Sequence, residues 1–317
     1  MKGKGVLAAL RRYPWVGPLV ALVVVYALFG AARPDTMLRA VNVVTMLRQT
    51  AIVGIAATGA TIVIVAGGID LSVGSAVALT TVVVAYALRS GQGPVAAAVA
   101  GIVVAVLTGV VNGVATAGLD ITPFIVTLGT MSILRGAAKG LAHEQKIDAD
   151  PRGLDAIALP SHGLLGLPIA VWAMFAVAAV AAFGIRSTRF GRRVVAIGSN
   201  ERTARLCGVR VGPTKVAVYA LAGLCTGIAG VIGFAKLTVG DPTGSIGLEL
   251  DVIASAVIGG GSLSGGEGSV LGTLFGAMLM TVIRTGCTHL GLSNWVQEVA
   301  TGCIIVAAVT LDRLRRR

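Results

Sequence analysis

The feature that most limits what this chain can become is the recurrence of long apolar runs, from "VGPLVALVVVYALFGAA" near its start to "EVATGCIIVAAVTL" near its end. About 20 mainly apolar residues cross the hydrocarbon core of a bilayer as a helix. Backbone polar groups find no water at that depth, so only helices and closed barrels can span it. Barrel strands are short and alternate apolar with polar residues. These runs are long and continuous, so the fold class is all-α, a polytopic integral membrane protein. The runs fall at about 15–32, 46–66, 71–88, 94–116, 122–141, 163–184, 214–235, 250–261, 269–284 and 293–311, the last three being shorter or more broken. That pattern predicts about ten transmembrane helices in a single domain over 1–317. Only 13% of the residues are charged, against about 25% in a soluble domain, and no soluble catalytic domain interrupts the series.

The net charge of +12 raises the question of nucleic acid, and its distribution answers it. Basic residues gather in the N-terminal tail (Lys2, Lys4, Arg11, Arg12), the C-terminal tail (Arg313, Arg315, Arg316, Arg317) and one central loop. That loop, 185–213, and the start of the next run carry Arg186, Arg189, Arg192, Arg193, Arg202, Arg205, Arg210 and Lys215 against the single acid Glu201. Short basic segments beside membrane spans are cytoplasmic by the positive-inside rule. An even number of crossings puts both tails on one side, the cytoplasm, and the same count puts loop 185–213 there and loop 142–162 outside. The first run follows a basic stretch but no small-residue cleavage site, so it reads as a retained span. Cys207, Cys225, Cys287 and Cys303 form no CxxC pair, which points away from a disulfide framework or zinc site and towards small apolar fillers. His143, His162 and His289 are scattered, so no catalytic residue and no metal site is expected.

One motif invites a chemical reading. Within "GGGSLSGGEGS" (259–269), Leu263-Ser264-Gly265-Gly266-Glu267 resembles the signature peptide of ATP-binding-cassette ATPases. Such a peptide works only with a GxxxxGK[ST] loop that cradles phosphate. The six lysines, Lys2, Lys4, Lys139, Lys146, Lys215 and Lys236, all lack that glycine frame, so the chain has no ATPase site of its own. A glycine run between two short apolar segments instead reads as a broken or re-entrant element near 259–268, or as a plain turn. Irregular backbone at membrane depth is tolerated only where protein buries it or a watery cavity borders it.

A second such element lies near 66–75, in "VAGGIDLSVGSAVAL". Asp70 there either caps the third span or faces a cavity or partner at a constriction, and the two roles are compatible. "LDITPFIVTLGTMSILRGAAKGL" (119–141) begins a span with Pro123 in its first turn. Thr122, Thr127 and Thr130 form a polar stripe for a solute path or for interhelical hydrogen bonds. Glu249 and Asp251 open an apolar segment, where carboxylates suit the positive end of a helix. In the central loop, Ser199 or Asn200 caps a short amphipathic helix with Glu201 in its first turn and Gly208 as its stop. That helix either docks on a partner or hugs the membrane.

Several stretches together resemble one family: "GGIDLSVGS" (67–75), "TPFIVTLGTMSILRG" (122–136), "GRRVVAIGSNERTARLCGV" (191–209) and "DPTGSIGLELDVIASAVIGGGSLSGGEGSVLGTLFGA" (241–277), with a Gly-Leu-Ser tract at 291–293. They resemble the ribose/xylose-type permease subunits of bacterial ATP-binding-cassette importers, of the branched-chain-permease-like superfamily, over nearly the whole chain. The resemblance implies two permease copies, or a pair with a related permease, and a separate cytoplasmic ATPase that binds the ATP. It also implies a periplasmic or lipid-anchored solute-binding protein, in a bacterial inner membrane. It makes 191–208 the coupling element against the ATPase, with Gly191, Arg192, Ala196, Gly198, Asn200, Arg205 and Gly208 as its candidate residues. Gly68, Asp70, Ser72, Gly74, Pro123 and Thr127 are the candidates for the translocation path. "RTGCTHLGLSN" (284–294) and "KLTVGDPTGSIG" (236–247) depart from the family pattern, so the sugar stays open. A secondary transporter driven by an ion gradient, with Asp70 or Glu249 carrying a proton, is the alternative.

Overall fold

The computed structural model describes residues 15–119 and 121–315, with side chains described except at 161, 308, 309 and 311–315. The basic residues Lys2, Lys4, Arg11, Arg12, Arg316 and Arg317 lie outside the described residues, as do the side chains of Arg313 and Arg315. The helices are α1 (Val16–Ala32), α2 (Pro34–Met37), α3 (Ala40–Val65), α4 (Val73–Arg89), α5 (Pro94–Gly118), α6 (Pro123–Leu141) and α7 (Ile169–Ser187). They continue as α8 (Arg189–Ser199), α9 (Glu201–Leu206), α10 (Val211–Leu237), α11 (Leu248–Ile258), α12 (Val270–His289) and α13 (Asn294–Arg315). Two-residue strands β1 (Ile147–Asp148) and β2 (Val239–Gly240) pair antiparallel, Ile147 opposite Gly240. Proline stands at the start of α2, α5 and α6, where its missing N–H costs nothing and its fixed φ suits the helix.

Among the described residues five helices, α3, α5, α7, α10 and α12, are long and apolar enough to cross a membrane. Contacts between loops fix two faces. On one, the Gly266 N–H donates to the Val65 carbonyl at the end of α3 and Lys215 at the start of α10 pairs with Glu201. On the other, β1 pairs with β2, Arg152 donates to the Gly91 and Gln92 carbonyls, and His289 at the end of α12 meets Asn42 near the start of α3. Successive long helices among the described residues then run in alternating directions between these faces.

Two of the passes are interrupted. α11 has 11 residues, about 16 Å at 1.5 Å per residue, roughly half the core thickness. Irregular chain, 241–247 before it and 259–269 after it, completes the crossing. α4 is likewise preceded by irregular 66–72. α3 and α11 end on the same device: Gly67 (φ 81°) and Gly260 (φ 93°) adopt the left-handed conformation. The next residue then reaches back, Gly68 N–H to Val63 O and Gly261 N–H to Ala256 O, at 2.9 and 2.8 Å. This is the hydrogen-bond pattern of a glycine helix stop, and a side chain at the left-handed position would strain it.

The core surrounds α3, whose residues from Thr50 to Val65 are largely buried against α7, α10, α11 and α12. α5 and α10 approach closely because glycines face backbone: a Cβ on Gly113 would lie 2.7 Å from Val216 Cα, and one on Gly227 2.9 Å from Ile102 Cα. Small residues permit such approach where lipid supplies no hydrophobic drive between helices. The sixth apolar run begins as helix at Ile169 rather than 163; residues 164–166 form a 3-10 turn whose Leu164 carbonyl accepts from Trp172 Nε1. The central loop holds two helices, not one. Cys225 and Cys287 are buried fillers, whereas Cys207 and Cys303 are exposed.

Candidate functional site

The basic loop folds into α8 and α9 because both are capped by side chains. Thr188 Oγ1 accepts from the Gly191 N–H at 3.1 Å, and Asn200 Oδ1 accepts from the Thr203 N–H at 3.0 Å. Short helices are marginal in isolation, so such caps, worth about 1 kcal/mol each, matter more here than in the long spans. α9 stops at Gly208 (φ 81°), with the Val209 N–H bonded back to the Ala204 carbonyl at 3.0 Å. α8 is strongly two-sided. Gly191, Val194 and Ile197 are buried, while Arg189, Arg192 and Arg193 point away from the bundle. Glu201 bridges Lys215 (2.7 Å) and Arg205 (3.1 Å). Partial burial pushes the Glu201 carboxyl up, but the two cations outweigh it and hold the group below its ordinary range.

Gly198 is the meeting point. A Cβ there would run into the Val65 carbonyl and lie 2.6 Å from the Gly266 nitrogen. One on Gly265 would lie 2.8 Å from Gly67 Cα. The end of α8, the glycine run at 259–268 and the break after α3 therefore pack backbone against backbone. The peptide that resembled an ATPase signature is part of this three-way seat, joined to α3 by the Gly266–Val65 hydrogen bond of 2.9 Å. Beside it, a cavity of about 800 Å³ is lined by Arg186, Arg192, Ala196 and Gly268–Leu271.

The residues singled out at the first break form a buried knot. Asp70 Oδ1 accepts from the Ser72 N–H (2.8 Å) and hydroxyl (2.6 Å), and Asn112 Nδ2 donates to Ser72 Oγ at 3.0 Å. Asp70 is thus not the cap residue of α4; that position is Ser72, which Asp70 holds in place. The Thr127 hydroxyl, fully buried one turn after Pro123, donates to the Ile69 carbonyl at 3.1 Å. It fastens α6 to the break. A Cβ on Gly68 would sit 2.7 Å from the Tyr219 hydroxyl, and one on Gly74 would collide with Glu249 and lie 2.7 Å from the Ser245 carbonyl. The first turns of α4 and α11 therefore face one another inside the bundle. Their positive ends meet carboxylates, Asp70 on one and Glu249 on the other, where Glu249 Oε1 accepts from the Gly247 N–H.

Some participants were not singled out in the sequence. Arg135 on α6 donates to the Pro242 and Gly244 carbonyls at 3.0 and 2.7 Å, stapling the irregular entry to α11. A lone arginine in an apolar run is itself a signal of a buried partner. Leu206, at the tip of α9, is 89% exposed, and sequence gave no means of telling that side of so short a helix from the other.

The comparisons with known proteins agree with this architecture. A family model described as the permease component of the branched-chain amino acid transport system matches residues 42–309, and the chain belongs to that family of membrane permeases. Among individual relatives it is 37% identical to the ribose import permease protein of Bacillus subtilis, over 94% of this chain and 92% of that one. It is 36% identical to the ribose import permease protein of Escherichia coli K12, over 94% and 93%. It is 33% identical to the L-arabinose ABC transporter permease protein of Azospirillum brasilense, over 95% and 88%. No solved structure matches.

Proposed function

We propose that this chain is the membrane-spanning permease subunit of an ATP-binding-cassette importer and conducts a monosaccharide of the ribose or arabinose kind inward. The observation that carries the mechanism is the seat at Gly198, where one helix touches both irregular breaks at once. The solute class rests on the relatives named for ribose and L-arabinose. A separate cytoplasmic ATPase docks on the outer side of α8 and α9, through Arg192, Arg205 and the exposed Leu206. Gly191 and Ala196 keep α8 close to the bundle, and Asn200 and Gly208 fix the ends of α9. Closure of that partner on ATP displaces the helical pair, and Gly198 passes the displacement by backbone contact to 65–68 and 259–268. α4 and α11, hinged on those segments, then shift between two packings. Gly68, Asp70, Ser72, Gly74, Pro123 and Thr127 hold the break as one unit during the change. The chain performs no chemistry itself and holds no cofactor; ATP stays on the partner. Two copies, or this chain with a related permease, form the path, and a solute-binding protein delivers sugar to the opposite face. Both tails and the basic loop lie in the cytoplasm of a bacterial cell.

Vesicle uptake tests the proposal. Sugar uptake should require ATP, the co-encoded ATPase and the binding protein together. Uptake by the purified chain alone under a proton gradient would replace this reading with secondary transport. Reporter fusions at 150 and 200 should register outside and inside respectively.

A further inference from the structure

A cavity of about 210 Å³ lies among α3, α10, α11 and α12, in the half of the bundle remote from the basic loop. Its polar lining is Gln49, Lys236, Ser245, Asp251, Thr281 and Arg284, set against apolar residues that include Ile52, Val53 and Met280. Asp251 Oδ2 accepts from Arg284 Nη2 at 2.7 Å, with the aspartate side chain 4% exposed and the arginine 45%. The second aspartate oxygen, Oδ1, has no hydrogen-bond partner among the described residues. Gln49, Lys236 and Ser245 make no side-chain hydrogen bond or ion pair with another described residue. Ionisable groups among spanning helices are costly and usually serve a cavity or a partner, and a buried acceptor left unpaired costs about 1–3 kcal/mol. This fold leaves several such groups around one space.

We propose that this cavity is a monosaccharide subsite on the entry side of the path, a reading that rests on the importer function above and adds where the sugar is held. A monosaccharide offers hydroxyls that both donate and accept, and C–H faces that pack on apolar walls. The lining matches that chemistry: Lys236 and Arg284 donate only, Asp251 accepts only, and Gln49 and Ser245 do both. Arg284 stands at the mouth with Asp251 behind it, so the guanidinium charge is already matched. With Asp251 and Arg284 matched to each other, Lys236 is left as a donor to a sugar hydroxyl or to an anion, and a sugar phosphate separates the two. The volume is smaller than the ~300–1,000 Å³ of drug-sized pockets, the size class of a single sugar ring.

The test uses the complete transporter, this chain with its ATPase and binding protein, in vesicles. Gln49→Leu and Lys236→Met keep side-chain volume and remove hydrogen-bonding groups. Each should lower sugar uptake roughly fivefold or more, the loss expected for a hydrogen bond, and should change the ratio of uptake between D-ribose and L-arabinose. That ratio is insensitive to the amount of folded protein. A second arm places a thiol by Ser245→Cys in a background lacking the exposed Cys207 and Cys303. Millimolar sugar should slow its labelling by an impermeant maleimide, and ribose 5-phosphate should not. Wild-type uptake and ratio in both variants, with no protection of the thiol, would overturn the subsite. Equal protection by the phosphate ester would assign the cavity to anions and overturn it too. Failure of the unmodified complex to take up any sugar would instead bring down the importer reading beneath it.

Discussion

Replacing Gly198 with alanine sets two effects of opposite sign against each other. Gly198 lies inside α8, where alanine is ordinarily favoured by about 1 kcal/mol through helix propensity. Its Cβ, however, would run into the Val65 carbonyl and lie 2.6 Å from the Gly266 nitrogen. Both obstacles are backbone, so no rotamer change relieves the clash. Either α8 lifts from its seat or the 2.9 Å hydrogen bond between Gly266 and Val65 opens. Overpacking costs about 1–3 kcal/mol, and an orphaned buried backbone group about 1–3 kcal/mol more. After the helix gain is subtracted, Gly198→Ala should destabilise by about 1–5 kcal/mol. Gly129, inside α6 with nothing within 4 Å of its Cβ position, supplies the control. Gly129→Ala should keep only the helix gain, about 0.5–1 kcal/mol. Thermal unfolding in detergent at one scan rate is the assay: the midpoint should fall for Gly198→Ala and hold or rise for Gly129→Ala. A Gly198→Ala protein that unfolds at or above wild type and still transports would show that α8 does not sit on the breaks as described.

Three further outcomes follow from the same geometry. Leu206→Asp, at a position 89% exposed, should leave the unfolding midpoint in place while reducing ATPase binding in pull-down at least about tenfold, as for an apolar interface anchor; unimpaired binding would remove Leu206 from the docking surface. Thr127→Val removes the hydroxyl from the Ile69 carbonyl and should cost about 1–3 kcal/mol, with Thr127→Ser restoring most of it; equal stability of all three proteins would show that the fastening is incidental. Glu201 has a depressed carboxyl pKa in the folded protein, so its contribution to holding α9 is complete above the unfolded value and is lost as pH falls through the folded one. Hydrogen exchange at Thr203–Arg205 should accelerate over that acidic window in wild type, and Glu201→Gln should show a flatter profile.

Much of this molecule was legible as one-dimensional pattern. Apolar runs of spanning length dictated helices, since nothing else satisfies the backbone in lipid, and nearly every run reappears within a few residues of its expected place. Gly67-Gly68 and Gly259-Gly260-Gly261 marked helix ends because few other residues adopt positive φ there at little cost. α8 was missed because its buried side, Gly191, Val194 and Ile197, is hidden among arginines that read as loop. Asp70 was read as a helix cap, whereas its carboxylate holds the cap residue Ser72; that distinction depends on a turn geometry that spacing does not encode.

The sequence by itself determined that the chain is a helical membrane protein with two glycine-rich interruptions, read as breaks or turns, a basic loop and no phosphate-cradling lysine motif. Each of these is a local property, set by the length of an apolar run, a residue's φ preference or its charge. Only the tertiary structure decided that the breaks and the loop are one site. Gly67, Gly198 and Gly265 are far apart in the chain, and what joins them is the absence of a Cβ at three places where backbones touch. It likewise gathered Gln49, Lys236, Asp251 and Arg284, from four different helices, around one small cavity. Contacts at such sequence separation arise from how helices pack, and composition carries no record of which side each helix turns inward.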